Sequence, residues 1–420
     1  MMSSDKSYKE AYVWIWLPEQ TEPVVAGKLE ADNGNMLFNY GKSYLERIKD
    51  TSPAIPIYEP ELPLQAGVLP LLDGLSIPGC IRDAVPDAWG RRVIINKVLG
   101  AKSAKTDTAE LSEMTYLLES GSDRIGALDF QRSPSEYVPR LATHATLEQL
   151  LASADRVEKG ISLTPELDHA LFHGSSIGGA RPKALIEDQD RKYIAKFSSS
   201  TDLYSVVKTE YIAMRLARLA GLNVAPVKLA RAANKDVLLI QRFDRNKTAR
   251  GWTRKAMVSA LTLFALDDLM ARYASYERLA EIIRHRFTDP KDTLRELFSR
   301  LTFNILCGNT DDHARNHAAF WNGKELTLTP AYDICPQNRA GNEASQAMLI
   351  HGNDNLSRIK TCLDAAHHFL LSKEEGGAIV EKQKDVIETS WGSVCDEAAL
   401  SETDRKLFWR RQFLNPYSDE

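Results

Sequence analysis

Short alternating stretches open the chain. Tyr12-Val13-Trp14-Ile15-Trp16 and Val24-Val25-Ala26-Gly27-Lys28-Leu29 read as strands separated by polar turns, because side chains at spacing two share one face of a sheet. Helical spacing replaces this pattern around Ala88–Ile95 and again from Leu111 to Leu118, with polar breakers at Lys102–Lys105 between them. A β-rich α+β unit is therefore expected up to residue 135. The turn at Ser133-Pro134-Ser135-Glu136 and the polar stretch to Thr146 form a linker, after which the pattern starts anew. Lys183–Ile186, Tyr193–Phe197 and Val237–Ile240 are apolar runs of strand length. Val207, Tyr211, Met214 and Leu216 mark a helix over 203–220, with Gly221 as its stop and Pro226 beyond. Downstream, Leu294, Leu297, Phe298, Leu301 and Ile305 fall at i, i+3, i+4, i+7 and i+11. That spacing builds the apolar face of a core helix ending near Gly308. Leu326–Thr329 alternates like a strand, and from Leu356 onward the pattern is mostly helical. The expected division is 1–135, 150–250 and 251–420.

With 420 residues, 43% of them hydrophobic, the chain can bury a large core and suits two or three lobes. A net charge of −4 supplies no global basic field, which disfavours intrinsic binding to nucleic acid. The N-terminus has no apolar signal core, and no apolar run approaches the ~18 residues a membrane span requires. The sequence thus predicts a cytoplasmic protein with no membrane partner. Five scattered cysteines without a Cys-x-x-Cys pair read as reduced packing residues.

Candidate chemistry begins where the long helix ends. Asn309-Thr310-Asp311-Asp312-His313-Ala314-Arg315-Asn316, followed by Tyr332-Asp333, has the order that phosphoryl transfer requires. Asp311 orients a hydroxyl nucleophile and accepts its proton, while Asn316 and Asp333 hold Mg²⁺ against ATP phosphates. By themselves, Asp and Asn at a turn do no more than cap a helix or bond their own backbone. The preceding segments supply the rest. Gly178 and Gly179 would let backbone N–H groups approach a phosphate, although a plain hairpin turn has the same composition. Lys196 ends an apolar strand and Glu210 follows fourteen residues later on the predicted helix, the arrangement of a strand lysine anchored by a helix glutamate. The alternative is a pair of solvated surface charges.

Other chemistries fit less well. Lys183 follows Pro182 and precedes Ala184, which excludes a Walker A loop. His313 and His317 stand four apart but enclose no glutamate, unlike the metalloprotease pair. His313 is expected to brace the catalytic loop by hydrogen bonds, and His317 to be packed.

The ordered segments 176–183, 194–197, 209–211, 241–245, 310–316 and 329–334, with Val85-Pro86-Asp87-Ala88-Trp89 and Asp123-Arg124-Ile125-Gly126-Ala127 in the first third, resemble the HipA family of serine/threonine kinases. The resemblance implies an α+β, bilobal protein-kinase-like fold with a β-rich N-terminal subdomain and a mostly helical C-terminal lobe. It implies ATP and Mg²⁺ as cofactors, catalysis at Asp311, metal at Asn316 and Asp333, and a phosphate contact from Lys196. It also implies an adenine-binding hinge at Gln241 and Phe243, and inhibitory autophosphorylation in the glycine-rich loop at Ser176 or its neighbour Ser175. Such kinases act as toxins on translation components such as aminoacyl-tRNA synthetases. They are neutralised by a HipB-like helix-turn-helix antitoxin, through which alone DNA would be contacted. The chain departs from the family pattern at Gln241, where Glu is commoner, at Asp312, where Gly is common, and at Arg315, where Lys is common. Two further readings of the same residues are a small-molecule kinase and a non-catalytic scaffold of a repressor complex.

Overall fold

The computed structural model of the chain describes residues 8–49, 52–99, 107, 111–141, 145–159, 161, 181–199, 202, 204–339 and 341–420. It divides into two compact units, one of residues 1–201, 230–258 and 321–324, the other of 202–229, 259–320 and 325–420.

In the first unit the strands β1 (Glu10–Ile15), β2 (Val24–Asp32), β3 (Asn35–Tyr40), β4 (Val68–Leu69) and β5 (Leu128–Gln131) form one sheet in the order β4-β3-β2-β1-β5. β1 pairs antiparallel with both β2 and β5. Its alternating Ala11, Val13 and Ile15 are essentially inaccessible, and Trp14 on the other face is also buried, which makes β1 a central strand. The expected helices are α1 (Ala88–Leu99) and α2 (Glu113–Glu119), the latter started by the Ser112 hydroxyl accepting from Thr115 N. A further helix, α3 (Leu147–Glu158), opens with a Thr146/Gln149 capping box. It packs Leu150, Leu151, Ala154 and Val157 with Trp89 and with Ala184, Tyr193, Ala195, Phe197, Val237 and Leu239. Those last residues line a second sheet of β6 (Lys183–Asp188), β7 (Arg191–Phe197), β8 (Val227–Ala232) and β9 (Lys235–Gln241), in the order β6-β7-β9-β8.

The Asp123-Arg124-Ile125-Gly126 and Arg242-Phe243-Asp244-Arg245 segments meet within this unit. Arg242 and Arg245 both reach Asp123 Oδ1, at 3.1 and 3.0 Å, and Lys192 Nζ sits 2.7 Å from Asp123 Oδ2. Gly126 N donates to Asp244 Oδ2 at 2.8 Å, and Arg245 donates to the Gly126 carbonyl at 2.8 Å. Buried charges persist only when matched in this way. Burial by itself would raise the Asp244 pKa, but the two guanidiniums hold it down at about 2.

The second unit is built on helices α4 (Val206–Leu219), α5 (Tyr276–Arg286), α6 (Pro290–Cys307), α7 (Ile359–Ala365), α8 (Lys373–Glu397) and α9 (Glu402–Phe408). α6 starts with Pro290 in its first turn, where the missing N–H costs nothing. Its Leu294, Leu297, Phe298, Leu301 and Ile305 are at most 1% exposed, so the periodic face read from the sequence is the core face. Thr302 Oγ1 donates to Gln383 Oε1 of α8 at 2.9 Å, and Phe298 stacks edge-on against Phe369. Among the described residues no helix is long and apolar enough to cross a membrane.

Candidate active site

The candidate loop begins at a hard stop. Gly308 caps α6 in the left-handed region, at φ +75°, and a Cβ there would meet the Gln412 carbonyl oxygen at 2.6 Å. Only glycine satisfies both demands. The next residue ties the turn to the helix end: Asn309 Nδ2 donates to Asn304 Oδ1 at 3.0 Å and its backbone N to the Asn304 carbonyl at 2.8 Å. Asn309 Nδ2 also lies 3.5 Å from the carbonyl of Asp333, so one amide side chain touches both acidic segments.

Asp311 itself is exposed and the neighbouring Asp312 is 2% exposed. Asp312 accepts from the Tyr276 hydroxyl and stands 3.1 Å from His317 Nε2. Burial opposes its charge, yet the His317 and Tyr276 contacts prevail and keep its pKa below the usual carboxylate value. The His317 carbonyl accepts from Ala260 N at 2.8 Å, which fixes the far end of the loop. His317, expected to be a packed residue, is thus the side chain that braces it. His313 contributes through its backbone, its N donating to the Asp311 carbonyl at 2.9 Å and its carbonyl accepting from Asn316 N at 2.8 Å. Its buried Nδ1 has no hydrogen-bond partner among the described residues.

Asn316 is buried and donates through Nδ2 to the Asp311 carbonyl at 3.0 Å, a bond that leaves its amide oxygen for another partner. Asp333 follows a short parallel bridge in which Ala331 N donates to the Asn223 carbonyl and Ala225 N to the Ala331 carbonyl. Arg300, buried on α6, donates to the Thr329 carbonyl at 2.8 Å, and the Tyr332 hydroxyl donates to the Arg315 carbonyl at 2.7 Å. Asp333 adopts φ +58°, a left-handed conformation that Asp tolerates better than most side chains. Although Asp311 as a residue is exposed, its carboxyl is partly screened from water by its neighbours, and this desolvation is the chief cause of a raised pKa; the His313 ring opposes the rise, while the Asp333 and Asp312 charges add to it. Asp311, Asn316 and Asp333 therefore share one locality although seventeen residues separate the last two. This locality can orient a hydroxyl, take its proton and offer hard oxygen atoms to a divalent cation.

The other predicted site residues divide between the units. Lys196 lies on β7, opposite Lys183 of β6 and Leu238 of β9, and is 9% exposed. Glu210 lies on α4 and is 2% exposed. Neither is the solvated surface charge of the bland alternative, since such burial demands compensation. Gln241 ends β9 opposite Tyr193, and Phe243 follows it, both partly buried. Ser175, Ser176, Gly178 and Gly179 lie outside the described residues. Tyr276, Asn304, Asn309 and Arg300 were not singled out from sequence. Apart from the short-range Asn304–Asn309 bond, their roles arise from contacts 24 to 77 residues away, for which no local spacing gives a signal.

Two family models match the chain, the HipA N-terminal domain over residues 15–131 and the HipA-like C-terminal domain over residues 175–391. The chain belongs to the HipA family. Among curated relatives, it is similar to the serine/threonine-protein kinase toxin HipA of Shewanella oneidensis, with 27% identity over 183 residues, 38% of this chain and 42% of that protein. It is similar also to the kinase-like protein Y4mE of Sinorhizobium fredii, with 27% identity over 146 residues, 34% of this chain and 33% of that protein. The matches thus span from a third to about half the length of these curated relatives. A solved complex of Shewanella oneidensis HipA with HipB and operator DNA contains a chain of the same fold, with TM-score 0.69 and 18% identity. That likeness covers 97% of this chain and 95% of the other. The α+β HipA-like kinase fold expected from the sequence is the observed one.

Proposed function

We propose that this HipA-family chain is an ATP- and Mg²⁺-dependent protein serine/threonine kinase that acts as a toxin. Its substrate is a translation component such as an aminoacyl-tRNA synthetase, and its off-switch is autophosphorylation at Ser176 or Ser175. The observation that carries this reading is the shared locality of Asp311, Asn316 and Asp333, with the Asp311 carboxyl sensing Asp333 and Asn316 bonded to the Asp311 backbone.

Asp311 orients the acceptor hydroxyl and takes its proton. The Asp333 and Asp312 charges acting on Asp311 fit a site that gains from a divalent cation, and Asp333 with the amide oxygen of Asn316 would hold it. Mg²⁺, when bound, supplies charge neutralisation on the transferring phosphoryl group. Lys196 and Glu210 are assigned to nucleotide binding, Lys196 at the phosphates, and Gly178 and Gly179 are assigned the backbone donors that cover them. Gln241 and Phe243 are assigned the adenine. Arg315, held by Asp268, and the buried pair of Asp312 and His317 keep the loop in register. A HipB-like antitoxin is the proposed protein partner, with DNA reached through it. The bounds 1–135, 150–250 and 251–420 are proposed for the N-terminal subdomain, the nucleotide-binding region and the catalytic region.

The deciding experiment is ³²P transfer from ATP with phosphosite mapping. Asp311→Asn should reduce transfer on the order of 10²–10⁴-fold, and label in the wild type should fall on Ser175 or Ser176. Retained transfer in that variant would refute the role of Asp311. A labelled small molecule without a labelled protein would refute the protein-kinase assignment.

A further inference from the structure

We propose that Glu277, His351 and His368 form a binding site for a zinc-class divalent ion on the helical unit, separate from the phosphoryl-transfer residues. Their donor atoms all lie within 4.8 Å of one another. His351 Nδ1 stands 2.8 Å and His368 Nε2 2.9 Å from the same oxygen, Glu277 Oε1. Three of the chain's nine histidines gather here, because the His367 ring lies 4.0 Å from that of His368 and 6.0 Å from that of His351. Among the described residues, no other group of three carboxylate, imidazole or thiol donors meets so closely.

The donors come from three segments, each held also by contacts outside the cluster, and Gly352 N donates to Glu277 Oε1 at 3.2 Å. Glu277 sits in the first turn of α5, behind the Ser275 cap. His351 sits in a tight turn closed by Ile350 N donating to the Asp354 carbonyl at 2.8 Å. That turn is joined to the start of α5 by reciprocal bonds, Tyr276 N to the Leu349 carbonyl and Leu349 N to the Ala274 carbonyl. His368 sits on the short 3₁₀ segment Ala366–Phe369, pinned by Phe369 against Phe298. The three side chains are 25–42% exposed, so an ion can enter from solvent without unfolding anything.

The donor set decides the class of ion. Two imidazoles and one carboxylate suit Zn²⁺, Co²⁺ or Ni²⁺, whereas Mg²⁺ and Ca²⁺ take oxygen. Zn–N and Zn–O bonds of about 2.0–2.2 Å set tetrahedral ligand atoms roughly 3.3–3.5 Å apart, longer than the 2.8 and 2.9 Å hydrogen-bond separations at Glu277 Oε1 and inside the 4.8 Å limit, so small outward shifts of the imidazoles would seat the ion. An imidazole that donates N–H to Glu277 moves its proton to the opposite ring nitrogen by exchange with water, which frees the lone pair. Water completes the fourth position. Binding ties three segments together across the unit, and Glu277 is the chain neighbour of Tyr276, which bonds Asp312.

The test is Co²⁺ titration of the tag-free, chelator-stripped full chain in excess Mg²⁺, read by visible absorption, with Zn²⁺-dependent melting as a second readout. All five cysteines are buried, so thiolate binding does not confuse the spectrum. One equivalent of Co²⁺ should bind with Kd below about 10 µM, giving bands that Zn²⁺ removes. Glu277→Gln and His351→Ala/His368→Ala should weaken binding on the order of tenfold or more while circular dichroism and melting without metal stay unchanged. Equal Co²⁺ binding by wild type and the double-histidine variant, or no binding in this range, overturns the site. Neither readout uses kinase activity, so the result stands whatever the fate of the proposed phosphoryl transfer.

Discussion

Asp311 and Asp312 are chain neighbours with opposite surroundings. Asp312 turns inward to a tyrosine hydroxyl and an imidazole, while Asp311 remains exposed beside other negative charge. An ionised Asp311 is the form that accepts a proton, so activity must fall as pH drops through its raised pKa. The acidic limb of kcat/KM, which reports the free protein, should therefore lie above the ordinary aspartate range of about 3.9. His313 opposes the rise, so His313→Asn should move that limb to still higher pH. A limb at or below the ordinary range, or one moved downward by the substitution, would contradict the electrostatic description. The Asp-x4-Asn spacing and the later Asp were readable from the chain because that chemistry tolerates few residue types. The direction in which Asp312 points was not readable. It depends on Tyr276, which reaches the loop from the helix before α6.

At the scale of elements, α6 was legible from Leu294 to its stop at Gly308, since Leu294, Leu297, Phe298, Leu301 and Ile305 recur at helical spacing and every one of them is buried. The cap that ends it makes a sharper claim. Gly308→Ala would force a β-carbon into left-handed backbone and against the Gln412 carbonyl. The conformational part alone costs about 1–2 kcal/mol, and the contact is with backbone that cannot swing aside. Urea unfolding should show a loss of at least about 2 kcal/mol; a loss below about 0.5 kcal/mol would mean that the turn relaxes freely. By contrast, α3 and α5 went unread although their buried residues, Leu150, Leu151, Ala154 and Val157 in the one and Tyr276, Leu279, Ala280 and Ile283 in the other, recur at helical spacing. β5 was missed because its partner, β1, lies more than a hundred residues earlier, a distance that no periodicity spans.

At the scale of the whole molecule, the first unit is held together through charge as well as apolar contact. The Asp123 and Asp244 network joins segments 118 residues apart, and the sequence offered both only as motifs of the family resemblance, with no signal that they meet. Because Asp244 is held at about 2, against about 3.9 unfolded, its contribution is present above pH ~4. It is lost as pH falls through that interval. Asp123→Asn leaves Lys192, Arg242 and Arg245 with less compensation and should cost about 3–5 kcal/mol at pH 7. The variant's stability should also depend less on pH between ~4 and ~2. Urea titrations across that range measure both effects, and a variant within about 1 kcal/mol of wild type would show the network to be incidental.

The seat of Gly308 against Gln412, together with Leu414 N donating to the Leu306 carbonyl at 2.7 Å, has a bearing on biosynthesis. The floor beneath the Asp311 loop is laid by residues translated long after the loop itself. A half-made polypeptide emerging from the ribosome therefore carries the loop without its support. For a protein proposed to be a kinase acting on the translation apparatus, the timing of its own synthesis withholds the finished site until that later segment has been delivered.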